Sequence, residues 1–294
     1  MHSSRETLML LFSIPLYSVL IGAEVVLSNW KEQHFYSIKS TIQNIYLTLL
    51  NAGLDVALRG LFYVAVMMWC YNRKIFIIEN IYIYWLLLFM MEDLAFYLEH
   101  FIDHHCRLFW AVHVTHHSSR EFNLTTGFRS SVFQPVYRFI YFIPIALMGF
   151  HPLDIVFMYS LTQTYGILVH TQYIKKMPQW FEAIFVSPSH HRVHHASNIR
   201  YLDKNMGMCL IIWDKLFGTF QQELETEPVK YGLTKSIEND GNPVNIVFHE
   251  WKSLATDLQK KNSFFTRTKY LLMPPGWSHD GSSKTANQLR KELN

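Results

Sequence analysis

The stretch WAVHVTHHSSREFN, residues 110–123, carries His113, His116 and His117. Residues 187–198, SPSHHRVHHASN, repeat the same spacing with His191, His194 and His195. Just upstream of the first group, EHFIDHHCRLFW adds His100, His104 and His105. Side chains three and four positions apart share one face of a helix, so each cluster presents its rings together. Imidazole ligates iron, copper, nickel and zinc alike, so ligand type alone does not choose the metal. The eight spaced histidines, His100, His104, His113, His116, His117, His191, His194 and His195, exceed the usual four ligands of one zinc ion. They suit two ions with coordination positions left open. Burying so many imidazoles without partners would leave unsatisfied polar atoms.

His170 stands alone in the apolar segment YGILVHTQY, at the depth expected for the clusters. A polar group there is a functional candidate by default, which makes His170 a candidate ninth ligand. Metal-bound histidines commonly give their second N–H to a carboxylate. Asp93 lies two turns before His100 on the same face, and Glu99, Asp103 and Glu121 are also near in sequence. His105 and His190 flank ligand candidates but sit off the shared faces, so supporting contacts or solvent are expected for them. His2, His34, His151, His249 and His279 read as surface or hydrogen-bonded residues. No catalytic side chain is expected beyond the metal centre. Asn123, Thr125 and Arg129 follow the second cluster closely enough to meet a polar head group.

The elements that must position these residues are apolar. Of 294 residues, 50% are hydrophobic, 16% aromatic and 17% charged, against about 25% charged in ordinary soluble domains. A net charge of +3 without a basic block argues against nucleic acid as a partner. Cys70, Cys106 and Cys209 are far apart and odd in number, reading as unpaired thiols on a reducing side. The N-terminal apolar run lacks a small-residue cleavage site and reads as a retained membrane helix, not a signal peptide. Five apolar stretches approach the ~20 residues needed to cross a bilayer: Leu8–Leu27, Ile42–Cys70, Ile75–Leu98, Phe133–Phe150 and Leu153–Tyr173. Asp55 and Arg59 inside the second are four apart and able to pair.

The expected fold is therefore all-α, a multi-pass membrane helical bundle with a cytosolic histidine-rich metal-binding cap. Its parts are N-terminal membrane helices (1–98), the first and second histidine clusters (99–132) and a transmembrane hairpin (133–173). The third cluster with an interfacial segment (174–220) and a C-terminal cap and tail (221–294) complete it. Two crossings between the second and third clusters return the chain to one side, where the clusters can meet. Arg107, Arg120, Arg129, Lys175, Lys176, Arg192, Arg200 and Lys204 share that side, which points to the cytoplasmic face.

H-x3-H at 100–104 and H-x2-HH at 113–117 and 191–195 resemble the eight-histidine pattern of the fatty acid hydroxylase/sterol desaturase superfamily. Its members are membrane di-iron enzymes that activate O2. DLAFYLEHFIDHH, HVTHHSSREFNLTTGFRSSV, SPSHHRVHHASNIRYLDKNMG, IIWDKLFGTF, VKYGLTKSI and PPGWS extend the resemblance, which runs from Tyr84 to Gly281. These words are most similar to a subgroup that acts on ether lipids. The resemblance implies two iron ions, O2 as co-substrate, a tetrahydrobiopterin or other electron donor, and a lipid substrate. It also implies an integral membrane protein of the endoplasmic reticulum in a eukaryote or of the inner membrane in a bacterium. The chain departs from the family at Phe101, where an Arg is frequent, and at the additional His105, which leaves substrate and reductant open. A sterol, fatty acyl or carotenoid hydroxylase or desaturase remains the rival enzyme. A metal transporter and a catalytically silent zinc scaffold remain the rivals of other classes.

Overall fold

In the computed structural model, which describes residues 2–293, short polar residues set where the helices begin. Ser37 accepts a hydrogen bond from the Ser40 N–H and opens α2; Asn80 accepts from Tyr82 and Ile83 and opens α4. Such caps satisfy N–H groups that the first turn of a helix cannot pair. The chain is helical, and among the described residues β-structure is limited to the isolated bridges Phe185–Leu210 and Ala196–Tyr231. The element order is α1 (His2–Trp30), α2 (Ile38–Leu58), a π-turn (Arg59–Tyr63), α3 (Val64–Tyr71), α4 (Ile81–His105) and α5 (Arg107–His117). Next come α6 (Pro135–Leu147), α7 (Pro152–Leu168), α8 (Gln179–Ile184), α9 (Pro188–His194) and α10 (Ile212–Phe217). The C-terminal part adds α11 (Pro243–Gln259), α12 (Phe264–Leu272) and α13 (Ala286–Leu293).

Among the described residues, two helices are long and apolar enough to cross a membrane, judged by length and composition. Thr7–Trp30 has a mean hydropathy of 2.0 with 6% of its window buried, and Ile81–His105 has 1.5 with 33% buried. The fourth and fifth stretches expected to span are shorter as helices than as hydropathy runs. With 13 residues in α6 and 17 in α7, they reach about 20 and 25 Å at 1.5 Å per residue. The hydrocarbon core is about 30 Å thick. The difference is physical: apolar loop residues score like helix, but Gly149 and Pro152 end one helix and start the next. Gly149 has φ +107°, and a Cβ on it would meet the Phe76 carbonyl oxygen at 2.3 Å. The second stretch is helical from Ile38 to Tyr71, and Arg59 Nε lies 2.7 Å from Asp55 Oδ2, as their spacing anticipates.

α4 changes character along its length. Ile81, Tyr82, Ile83, Leu86 and Leu87 are exposed, whereas Glu92, Asp93, Glu99, His100, Asp103 and His104 are buried. The helix continues past residue 98, so the first histidines stand on the same rod as the apolar span. The core beneath them packs Leu88 and Ala95 against Met67, Phe142, Ile145, Ile155 and Tyr159 of α3, α6 and α7. The free cysteines Cys70 and Cys209 are buried within such clusters.

The C-terminal helices are tied to the start of α5 by one side chain. Arg107 donates from Nε to Glu250 (2.8 Å), from Nη1 to Asp257 (2.7 Å) and from Nη2 to Ser253 (3.1 Å). Removing one partner of such a network strands the remaining charges. Arg107→Met should lower stability by about 2 kcal/mol, less than for a fully buried pair because the partners are partly exposed. Thermal unfolding checks this, and limited proteolysis should show earlier cleavage in residues 221–294.

Candidate metal centre

α4 and α5 are separated by a single extended residue, Cys106, which folds them against each other so that their histidine faces meet. α9 supplies the third face. Its start is fixed by Ser187, whose Oγ accepts from the His190 N–H while His190 Nδ1 accepts from the Ser187 N–H, and by Pro188 in the first turn. His170 enters from the end of α7. The rings converge in two groups, within each of which the available ring nitrogens lie within 4.8 Å of one another. His100, His104, His113, His117 and His194 form the first; His116, His170, His191 and His195 form the second. α5 gives two rings to the first group and one to the second, and α9 does the reverse. The i, i+3, i+4 pattern thus divides each triplet between two centres.

Backbone carbonyls fix the ring protonation. His100 Nδ1 donates to the Met206 carbonyl (2.8 Å), His116 to Arg129 (2.9 Å), His170 to Gly166 (2.7 Å) and His194 to Lys204 (3.0 Å). A neutral imidazole with its proton on Nδ1 carries a lone pair on Nε2. Those Nε2 atoms face other imidazoles: His100 lies 3.0 Å from His113, and His170 lies 2.9 Å from His191 and 3.1 Å from His195. His194 Nε2 is buried with no hydrogen-bond partner, as is His191 Nδ1. Converging buried lone pairs fit a cation between them, so the residues fit a metal in each group.

Burial also keeps these rings neutral. It pushes His116 down to about 4 and drives His113, His117, His170, His191, His194 and His195 well below the ordinary value, with neighbouring imidazoles adding to the effect. Neutral imidazole is the ligating form.

The carboxylates singled out from sequence mostly act one step away from the rings. Asp93 accepts from the Cys209 and Leu210 N–H groups (2.8 and 3.1 Å) and from Trp213 Nε1 (3.0 Å). It holds the segment whose Met206 carbonyl orients His100. Glu99 pairs with Arg138 (3.2 Å), and Glu121 accepts from the Ser37 N–H at the start of α2. Asp103 accepts from Gln134 (3.0 Å) and Tyr137 (2.7 Å), with Oδ2 3.5 Å from His113 Nδ1. His105 bonds the Phe101 carbonyl and stacks on the Phe101 ring at 3.9 Å, turned away from both groups. His190 is spent on the α9 cap.

The carboxylate within hydrogen-bonding reach of His104 Nδ1 is Asp203, at 3.2 Å, which the sequence reading missed. No local spacing could have found it, because 99 positions separate the two. Asp214 was missed as well; fully buried, it accepts from the Met206 and Gly207 N–H groups and from Thr219. Its signal was visible as an acid inside the apolar word IIWDKLF.

Asn123, Thr125 and Arg129 are buried parts of the scaffold. Asn123 Oδ1 accepts from the Thr125 and Thr126 N–H groups, and its Nδ2 donates to the Phe35 carbonyl. Arg129 donates to Thr115 O (2.9 Å), Ser118 Oγ (2.8 Å) and Asn44 Oδ1 (3.0 Å), and burial lowers it to about 10. Together they fasten the loop after α5 to α2. None of the three lines the cavity beside the rings. That cavity is walled by His100 and His113 of the first group and His116, His170 and His191 of the second. Opposite them stand Asn51, Ser130, Gln134, Arg138, Tyr159 and Gln163.

Two predictions follow from this geometry. Partners of metal-bound histidines typically set metal affinity within 10- to 100-fold, so Asp203→Ala should weaken metal binding by roughly that factor. Equilibrium titration with a chelator checks it. In the metal-free protein, His116 and His190 are both held near about 4 by burial, against about 6.5 unfolded. The unfolded chain binds more protons between those values, so stability rises with pH through that window and levels off above it. The melting temperature of metal-free protein should therefore fall as pH drops below about 6.5, which calorimetry across that range can measure.

Residues 85–219 match the fatty acid hydroxylase family. The chain is 36% identical to human alkylglycerol monooxygenase over 257 residues, covering 84% of this chain and 55% of that protein. It is 32% identical to the Caenorhabditis elegans alkylglycerol monooxygenase over 66% of this chain and 39% of the relative. It is 28% identical to a rat lathosterol oxidase over 44% of this chain and 42% of that protein. The chain thus spans about half the length of the curated relatives it matches. No solved structure matches it. All nine converging histidines fall inside the matched stretch, which makes residues 85–219 a fatty acid hydroxylase domain.

Proposed function

We propose that this protein is a membrane-bound di-iron oxygenase that uses O2 to hydroxylate a lipid C–H bond, and that it cleaves the ether bond of alkylglycerol-type lipids. The observation that carries the reading is the pair of histidine groups, five and four rings strong, opening together onto one cavity. When bound, two irons supply the redox chemistry that lets O2 attack an unactivated C–H bond. His100, His104, His113, His117 and His194 would hold one ion, and His116, His170, His191 and His195 the other. The protein's own part is to fix His100, His116, His170 and His194 through the Met206, Arg129, Gly166 and Lys204 carbonyls and to keep those four rings neutral by burial. The apolar flanks of α1 and α4 support a site at a membrane surface, where a lipid can present its carbon without leaving the bilayer.

Hydroxylation next to an ether oxygen gives a hemiacetal, which collapses to an aldehyde and a free alcohol. The likeness to the alkylglycerol monooxygenases supports that substrate class and tetrahydrobiopterin as reductant. A multi-pass arrangement with the histidines on the cytoplasmic side is part of the same proposal, in the endoplasmic reticulum of a eukaryote or the inner membrane of a bacterium. So is the division of the chain at 98, 132, 173 and 220. The likeness to a lathosterol oxidase favours a sterol as the second reading.

Membranes containing the protein, given labelled alkylglycerol, should release aldehyde only when tetrahydrobiopterin is supplied. Oxidised sterol in place of aldehyde would select the second reading. His116→Ala should abolish turnover, and retained activity would remove His116 from the ligand set. Stripping metal with a chelator should stop the reaction, and ferrous iron, but not zinc, should restore it.

A further inference from the structure

The cavity beside the histidines has a polar wall that the metal reading does not use. Arg138 on α6 donates from Nε to Glu99, which is fully buried, and from Nη1 to the Tyr159 hydroxyl. That leaves Nη2 without a partner among the described residues. Gln163, one helical turn along α7 from Tyr159, lines the same cavity, and its Nε2 is buried with no hydrogen-bond partner. Leaving a buried polar atom such as Gln163 Nε2 unpaired is unfavourable, so this donor, with Arg138 beside it on the same wall, wants a ligand that brings oxygen atoms.

The charge balance narrows the ligand further. Arg138 is the one charged side chain among the described residues of that wall, and Glu99 already neutralises it. An anion entering there would find no second cation and would lose its hydration, which is costly in an apolar interior. A carboxamide offers both a donor and an acceptor, which matches a hydroxyl group. Arg138 and Tyr159 also line a second cavity, walled by Leu58, Phe139, Phe142 and Val156 and by the paired Asp55 and Arg59. That cavity lies farther along α2, α6 and α7 from the histidines; its charged residues are paired with each other or with Glu99, which leaves its apolar side chains to meet hydrocarbon.

We propose that Gln163 and Arg138 form the specificity-determining site for the uncharged, hydroxyl-bearing end of the lipid, with the hydrocarbon continuing past Tyr159 into the second cavity. The proposal rests on the lipid-oxygenase reading and adds its recognition chemistry. The lipid's hydroxyl oxygens accept from Gln163 Nε2 and Arg138 Nη2, and a hydroxyl proton is donated to Gln163 Oε1. The bond to be attacked is thereby held beside His100 and His116. A phosphorylated head group is excluded for want of a second positive charge.

The test measures equilibrium binding to the full-length, metal-free protein in lipid nanodiscs, so that it does not depend on turnover. The probes are radiolabelled 1-O-hexadecylglycerol, its 3-phosphate, cholesterol and hexadecane. Gln163→Leu should weaken hexadecylglycerol about tenfold, the scale of one hydrogen bond, and leave hexadecane unchanged. The phosphate should bind the unaltered protein at least about tenfold more weakly than the uncharged lipid. In metal-loaded enzyme the variant should raise KM while kcat stays within about twofold, as loss of ground-state binding requires. An unaltered melting temperature and iron content for Gln163→Leu show that the fold and the histidines are intact, and Gln163→Asn should recover part of the affinity. Equal affinity of the two proteins for hexadecylglycerol overturns the proposal, as does tighter binding of the phosphate. If cholesterol alone shows the Gln163-dependent loss, the site stands and the ether-lipid reading falls. If hexadecylglycerol is cleaved with unchanged KM in Gln163→Leu, the ether-lipid reading stands and this site falls.

Discussion

Nine imidazoles, eight of them buried, converge with their ring nitrogens in two tight groups, an arrangement that fits a cation between them, and the rest of the fold serves to hold it. Four of the rings have their Nδ1 proton committed to a main-chain carbonyl. Neighbouring rings therefore meet through Nε2 and gain little from each other. The carbonyls come from places where the backbone is otherwise unpaired: the last turn of α7, the loop after α5 and the irregular segment 203–207. Irregular backbone near the centre is thus put to use as a set of fixed acceptors.

Keeping those acceptors in place takes buried charge. Asp93 and Asp214 gather the N–H groups of residues 206–210 and so hold the Met206 carbonyl against His100. Gly207 permits that close approach, since a Cβ there would lie 2.6 Å from the Leu210 carbonyl oxygen. Arg192, between two ligand histidines on α9, points the other way. It donates to Glu223 and to the Thr171, Ile174 and Lys175 carbonyls. One guanidinium thereby joins α9, the strand of chain after His170 and the start of the C-terminal region. Arg129 does the same for α2 and α5. These side chains fasten the segments that carry the histidines or the carbonyls bonded to them.

The apolar exterior and the polar centre meet along α4. Its first half offers Ile, Tyr and Leu side chains outward, and its second half carries acids and histidines inward. A single rod thus joins an exposed apolar surface to the buried histidines. The polar wall of the cavity, opposite the rings, is formed by α6 and α7, the short pair whose length falls below a full crossing.

The sequence by itself determined the histidines and their sharing of helix faces, because spacing along a helix is a local property. The Asp55–Arg59 pairing was legible for the same reason. It also carried the helical class and the words that mark the family. The number of helices long enough to cross a membrane was not legible, since hydropathy does not see where Gly149 and Pro152 stop and start a helix. Only the tertiary structure decided which ring joins which group, that Asp203 and not Glu99 reaches a histidine, and that Asn123, Thr125 and Arg129 hold a loop and do not face the cavity. Those outcomes depend on contacts between segments a hundred residues apart, and side-chain packing fixes them where no local pattern can.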